Sequence, residues 1–123
     1  MEIIRRDDVS VLVNPGAASH QLISVHNSAS TRLSVTRVVL APGAQNPRHR
    51  HVAAEQVWVA LSGSGSLLLA DAATLPFVAG DVARFADGDV HGFENTGADD
   101  FVYLAVTSPP QDFRAAYAGE AKP

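Results

Sequence analysis

Short apolar runs of four to eight residues recur along this chain, each closed by a turn signal, and no stretch before residue 110 spaces its apolar residues as a helix would. That punctuation restricts the fold more than any other feature. Asn14-Pro15-Gly16, Ala41-Pro42-Gly43, Ser62-Gly63-Ser64-Gly65, Ala79-Gly80-Asp81, Ala86-Asp87-Gly88-Asp89 and Asn95-Thr96-Gly97 each supply a residue with a fixed φ or one tolerant of positive φ. Between them the expected strands are Val9 to Val13, Gln21 to His26, Arg32 to Leu40, Gln56 to Leu61, Ser66 to Ala70, Leu75 to Val78, Val82 to Phe85, Val90 to Glu94 and Phe101 to Thr107. So many short strands at this spacing read as an all-β sandwich or closed barrel. After Pro109-Pro110, good helix formers and the four-residue spacing of Phe113 and Tyr117 predict a short C-terminal helix over Gln111 to Ala118, followed by a frayed tail from Gly119 to Pro123.

The chain has 123 residues, the size of one domain, and residues 1–123 are read as such. With 46% hydrophobic and 18% charged residues it can bury a core. Nine bases against thirteen acids give a net charge of −4, and the eight arginines are scattered, so no basic stripe offers itself to nucleic acid. The apolar runs are far short of the ~20 residues a membrane helix needs, and Met1 to Asp7 lacks the apolar core of a signal peptide. A soluble, cytoplasmic protein is expected. The absence of cysteine removes disulfides, thiolate metal ligands and Cys nucleophiles, so any metal site must use nitrogen and oxygen donors.

Those donors are concentrated in one pattern. In extended backbone, His49 and His51 point their rings to one face while Arg50 points to the other. A turn at Pro42-Gly43 precedes the pair, Glu55 or Gln56 follows it, and His91 opens a later strand after Asp87-Gly88. Three neutral imidazoles with one oxygen donor suit a single divalent transition metal, Fe, Mn, Zn, Ni or Cu, and leave positions open for water or substrate.

The spacings carry a family resemblance. Gly43, five residues, His49-Arg50-His51, four residues, Gln56, six residues and Gly63 is similar to the first cupin motif. Gly80, five residues, Ala86, one residue, Gly88, two residues, His91, three residues and Asn95 is similar to the second, departing where Ala86 replaces the usual proline. The two motifs cover 43–63 and 80–95. The resemblance implies a double-stranded β-helix, or jelly-roll barrel, with a metal in its mouth. It implies two histidines and a glutamate as ligands from the first motif and one histidine from the second. Here the glutamate position holds Gln56 by the count from Gly63, with Glu55 as the alternative by the three-residue gap after His51. An inward Gln56 brings Trp58 and Ala60 inward; an inward Glu55 brings Val57, Val59 and Leu61. Trp58, Phe93 and Tyr103 are the candidate pocket walls.

Cupins perform many reactions, so the fold does not select one. The leading expectation is a metal-dependent dioxygenase acting on a small organic molecule, favoured because no second carboxylate or tyrosine base is evident beside the ligands. A redox-neutral isomerase or decarboxylase is the alternative, and a non-catalytic small-ligand-binding cupin the third reading. The resemblance also implies a homodimer.

Overall fold

The computed structural model describes residues 1–121. Its strands are β1 (Val11–Asn14), β2 (Ala17–Ile23), β3 (Ser34–Leu40), β4 (Gln45–His49), β5 (Glu55–Ser62), β6 (Ser64–Leu69), β7 (Thr74–Val78), β8 (Val82–Phe85), β9 (His91–Glu94), β10 (Phe101–Ser108) and β11 (Gly119–Ala121). They build a seven-stranded sheet in the order β11-β1-β2-β3-β10-β5-β8 and a four-stranded sheet in the order β4-β9-β6-β7, with every pairing antiparallel. From β3 to β10 the chain passes from one sheet to the other at every connection except β6 to β7, which is the winding of a double-stranded β-helix.

Period-two alternation decides which residues face inward. Ser34, Thr36, Val38 and Leu40 of β3, Gln56, Trp58 and Ala60 of β5, and Phe101, Tyr103, Ala105 and Thr107 of β10 are all buried. At the closed end Phe93 stacks on Phe101, with ring centroids 3.9 Å apart, and Phe77 packs beside both. Gly65 is needed there, because a Cβ at that position would overlap the Phe93 ring. Among the described residues no helix is long and apolar enough to cross a membrane.

Four elements differ from the expectation, and the first is β2, which runs Ala17–Ile23 where Gln21 to His26 was expected. The strand β4 was hidden by Pro47, which a strand tolerates only where its missing N–H is not required; β4 is an edge strand. The C-terminal helix does not form. Only Arg114–Ala116 makes a single 3₁₀ turn, and Gly119–Ala121, expected to fray, pairs with β1 as β11. An eight-residue helix has little stability of its own. Here strand pairing, and burial of Phe113 and Tyr117 against the barrel, supply what a helix would not.

Candidate metal centre

The edge strand β4 pairs with β9 so that His49 lies opposite His91, with an irregular register between Asn46 and His49. A Cβ on Gly92 would come within 2.6 Å of the Asn46 carbonyl and 2.9 Å of the Arg48 nitrogen, so glycine beside His91 permits the close approach of β4. The chain then reaches His51 and reverses through Val52 and Ala53, the latter at φ 58°. The Gly88 N–H donates to the His51 carbonyl at 2.9 Å, tying the turn before His91 to the loop that carries His51. The Ala86 turn is not loose: without proline, its free N–H donates to the Asp89 carboxylate at 2.9 Å.

The three imidazoles converge. Ring centroids are 5.0 Å apart for His49 and His51, 4.4 Å for His49 and His91, and 5.3 Å for His51 and His91. One nitrogen from each lies within 4.8 Å of the others. His49 Nδ1–H donates to the Pro47 carbonyl at 2.7 Å, which leaves its Nε2 as a lone-pair donor, and His91 Nδ1 lies 2.8 Å from the Asp89 carbonyl, which would free its Nε2 in the same way. His51 Nε2 is buried without any hydrogen-bond partner. Burial, and then the neighbouring His49, hold His51 below its ordinary pKa. Burial pushes His91 down to about 4, against the Asp89 carbonyl that favours its proton. His91 also lies flat on Phe85, with centroids 4.1 Å apart.

Gln56 enters this cluster and Glu55 does not. Glu55 is exposed on the opposite face, paired with Arg84 at 2.7 Å. Gln56 Oε1 lies 2.9 Å from His91 Nε2. The amide cannot be turned round, because the Trp58 indole, which can only donate, gives its N–H to Oε1 at 2.9 Å, and Nε2 donates to Thr107 Oγ1 at 2.8 Å. A neutral His91 has one proton for two accepting oxygens, the Asp89 carbonyl at Nδ1 and Gln56 Oε1 at Nε2; with the proton on Nδ1, Oε1 and Nε2 face each other as two lone-pair bearers. Burial disfavours a second proton on His91, and in that tautomer a metal cation would satisfy both lone pairs. Two ligands held at ~2.1 Å and at right angles on one ion stand about 3.0 Å apart. The orphaned His51 nitrogen and this facing pair both fit a divalent metal held by His49, His51, His91 and Gln56, all neutral donors.

Beside the cluster is a cavity of about 400 Å³. Trp58 and Tyr103 line it, their rings 4.5 Å apart. Phe93, expected as a third wall, is instead fully buried in the aromatic stack with Phe101, because the smaller sheet turns its inward side chains at that end into the core. The cavity is also lined by Asn46, Phe113 and Tyr117, which the motifs do not mark. Asn46 belongs to the strand that Pro47 concealed; the four-residue spacing of Phe113 and Tyr117 was visible but read as helical. Asn46 Nδ2 donates to the Tyr103 hydroxyl at 2.9 Å. Burial raises the Tyr103 phenol above the ordinary tyrosine range, so it stays protonated. His20 and His26 are outside the site, His20 opposite Arg37 across β2 and β3 and His26 on Asp112.

Comparison with known proteins agrees with this geometry. A family model described as the cupin domain matches residues 36–107, more than half of the chain. Auxin-binding protein 1 of Arabidopsis thaliana is 36% identical over 78 residues, covering 57% of this chain and 39% of that protein. The oxalate-binding protein of Thermotoga maritima is 35% identical over 83 residues, covering 68% of this chain and 65% of its own length. The chain therefore spans less than two thirds of either relative. Among solved structures, the polyketide cyclase RemF from Streptomyces resistomycificus superposes with a TM-score of 0.75 at 21% identity, covering 99% of this chain and 84% of that one, a likeness of fold. With both histidine motifs folded into one cluster inside a two-sheet barrel, and the family model spanning them, the chain belongs to the cupin family.

Proposed function

We propose that this cupin is a metal-dependent enzyme that binds a small organic molecule through an anionic oxygen and converts it without net oxidation, by isomerisation or decarboxylation. The observation that carries the reading is Tyr103: a phenol kept protonated, in the wall of the cavity next to the histidine cluster, whose hydroxyl accepts from Asn46 and gives its own proton to no acceptor among the described residues. The sequence argument for oxidation rested on the lack of such a group. A divalent ion held by four neutral donors keeps its full double charge and acts as a Lewis acid toward an oxygen of the bound molecule. The side chains do the rest. Asn46 fixes the direction of the Tyr103 O–H, which donates to a developing oxyanion. Trp58, Val38 and Leu40 exclude water around it. The two curated relatives are named for binding auxin and oxalate, which are small organic molecules.

A dioxygenase is the second reading, supported by the donor set: three imidazoles and one amide would leave positions on a bound ion open to substrate and O₂. Metal analysis of the purified protein and of His51→Ala comes first; full occupancy in the variant refutes the assigned site. Metal-loaded protein is then screened against small carboxylates, hydroxy acids and diketones with and without air. Turnover that is unchanged without oxygen supports the redox-neutral reading, oxygen-dependent turnover replaces it with the dioxygenase, and ligands bound but recovered unaltered reduce the protein to a binding module.

A homodimer belongs to the same proposal. The outer face of the larger sheet presents Val35, Val39, Val59, Val82, Val102 and Leu104, with Arg37 opposite Leu104 and Arg84 beside Val82 as its charged members. The apolar members are in register: Leu104 pairs with Val59, Val59 with Val82, and Val102 with Val39. Three strands of ~24–27 Å and the shorter β8 of ~14 Å, ~4.8 Å apart, make a face of roughly 450 Å², mostly apolar around Arg37 and Arg84, about half of the ~800 Å² that a standard interface buries on each partner. A flat sheet face of that size is the apolar centre of a contact with a second copy, packed sheet on sheet.

A further inference from the structure

The segment between β10 and β11 is the part of the chain that neither histidine motif explains, and it forms one side of the cavity. Its attachments follow the order of the larger sheet. Gln111 N–H reaches Ser34 Oγ of β3 at 3.5 Å, Asp112 holds His26 beyond β2 at 3.1 Å, and Ala116 and Ala118 are clipped to Asn14 at the end of β1. The Asn14 clip is two-sided: Nδ2 donates to the Ala116 carbonyl at 3.1 Å and Oδ1 accepts from the Ala118 N–H at 2.8 Å. Arg114 closes onto Asp112 at 3.1 Å. The larger sheet has seven strands and the smaller four, so part of the inner face of the larger sheet has no strand opposite it. The strap crosses there, and Phe113, Ala116 and Tyr117 line the cavity beside Thr36, Val38 and Leu40 of β3.

Two aromatic pairs therefore border one space, Trp58 and Tyr103 from the sheet and Phe113 and Tyr117 from the strap. The Phe113 ring stands edge-on to His51, with centroids 6.1 Å apart, so the strap aromatics reach the histidine cluster itself. At about 400 Å³ the cavity is within the range that holds drug-sized molecules and is much larger than a two-carbon acid requires. Beside the histidine cluster, Gln56, and the Tyr103 hydroxyl with Asn46, its polar lining includes Ser19, Thr36, Arg48 and Arg50, and the two arginines favour an anionic group.

We infer that the strap selects the substrate class: Phe113 and Tyr117 grip a planar aromatic or conjugated ring whose anionic oxygen points at His49, His51 and His91. The inference rests on the proposed metal centre for the oxygen, but the ring's grip is a property of the strap alone. Aromatic side chains favour flat, polarisable partners through stacked and edge-to-face contacts, beyond what buried area provides. A compact acid such as oxalate held at the histidine cluster leaves the strap aromatics unused.

The test is calorimetric titration of the 123-residue chain loaded with zinc, using 2-naphthoate, cyclohexanecarboxylate and oxalate as probes. The indole of Trp58, the single tryptophan of the chain, reports cavity occupancy through its fluorescence. The expected order is 2-naphthoate at least about tenfold tighter than either of the others. Phe113→Ala lowers naphthoate affinity about tenfold and leaves oxalate within twofold; Phe113→Leu, which preserves the bulk and the fold, reproduces most of that loss. Equal affinities for naphthoate and oxalate overturn the inference, as does a Phe113→Leu variant that binds naphthoate like the parent or loses both probes equally. Repeating the titration without zinc separates the two proposals. Weak naphthoate binding that still depends on Phe113 upholds the strap even if metal analysis refutes the metal centre. Strong oxalate binding with no dependence of naphthoate on Phe113 upholds the metal centre and refutes the strap.

Discussion

Replacing Gln56 by Leu separates a metal ligand from a packing residue. The side chain is buried, and its amide makes three contacts: Trp58 Nε1–H at 2.9 Å, Thr107 Oγ1 at 2.8 Å and His91 Nε2 at 2.9 Å. Leucine keeps the volume and removes all three. In the metal-free protein the Trp58 N–H loses its acceptor in a dry environment, a loss of roughly 1–3 kcal/mol. Removing the facing lone pairs of Oε1 and His91 Nε2 offsets part of it. In the metal-loaded protein there is no such offset, because a ligand is gone. A ten- to hundredfold fall in affinity, about 1.4–2.7 kcal/mol, then subtracts directly from the stabilisation that saturating metal provides. At about 4 °C per kcal/mol for a chain of this size, the metal-induced rise in Tm shrinks by about 5–11 °C. Calorimetric melts with zinc and with chelator measure that increment for parent and variant. If Gln56→Leu lowers both melts equally and leaves the increment unchanged, Gln56 merely orders Trp58 and Thr107 and the reasoning from the facing lone pairs is refuted.

The remaining predictions follow the same geometry. Metal-free protein loses stability as pH falls from about 6.5 through about 4: His91, held near 4 by burial, binds fewer protons folded than unfolded across that window, so its stabilisation is present above the ordinary histidine pKa. Urea denaturation at pH 7.5 and pH 5 checks this, and equal stability at both contradicts the neutral, buried imidazole. Tyr103→Phe keeps the ring against Trp58 and removes only the donor; turnover falls about 10²-fold with KM nearly unchanged, whereas unaltered turnover removes Tyr103 from the mechanism. Leu104→Glu in the middle of the outer sheet face yields a monomer in sedimentation velocity while zinc binding persists; an unchanged species shows that the face is not the interface.

Much of this centre is legible before folding because its spacing is local. The single residue between His49 and His51 in extended backbone puts both rings on one side, and Gly88 three before His91 sets a turn at φ 80° just ahead of it. The strands that carry Trp58 and Tyr103 are visible by alternation for the same reason. Where the turn at Val52-Ala53 interrupts the backbone, parity fails: it would have placed Glu55 inward from His51, yet Glu55 is outside on Arg84 and Gln56 is inside. Counting back from Gly63 succeeds because β5 is unbroken from Gln56 to that turn. Phe93 was misplaced as a pocket wall because alternation gives a side and not a depth along the barrel.

By itself, the sequence determined the all-β class, the order of the turns and the histidines able to meet, since these follow from φ preferences and period-two spacing within a few residues. Only the tertiary structure decided what lies across from what. Whether Gln56 faces His91, whether Asn46 holds Tyr103, and whether residues 111–118 become a helix or a strap over the cavity depend on contacts between residues 35 to 104 positions apart in the chain. At those separations packing between sheets and the pairing of β11 with β1 outweigh local propensity.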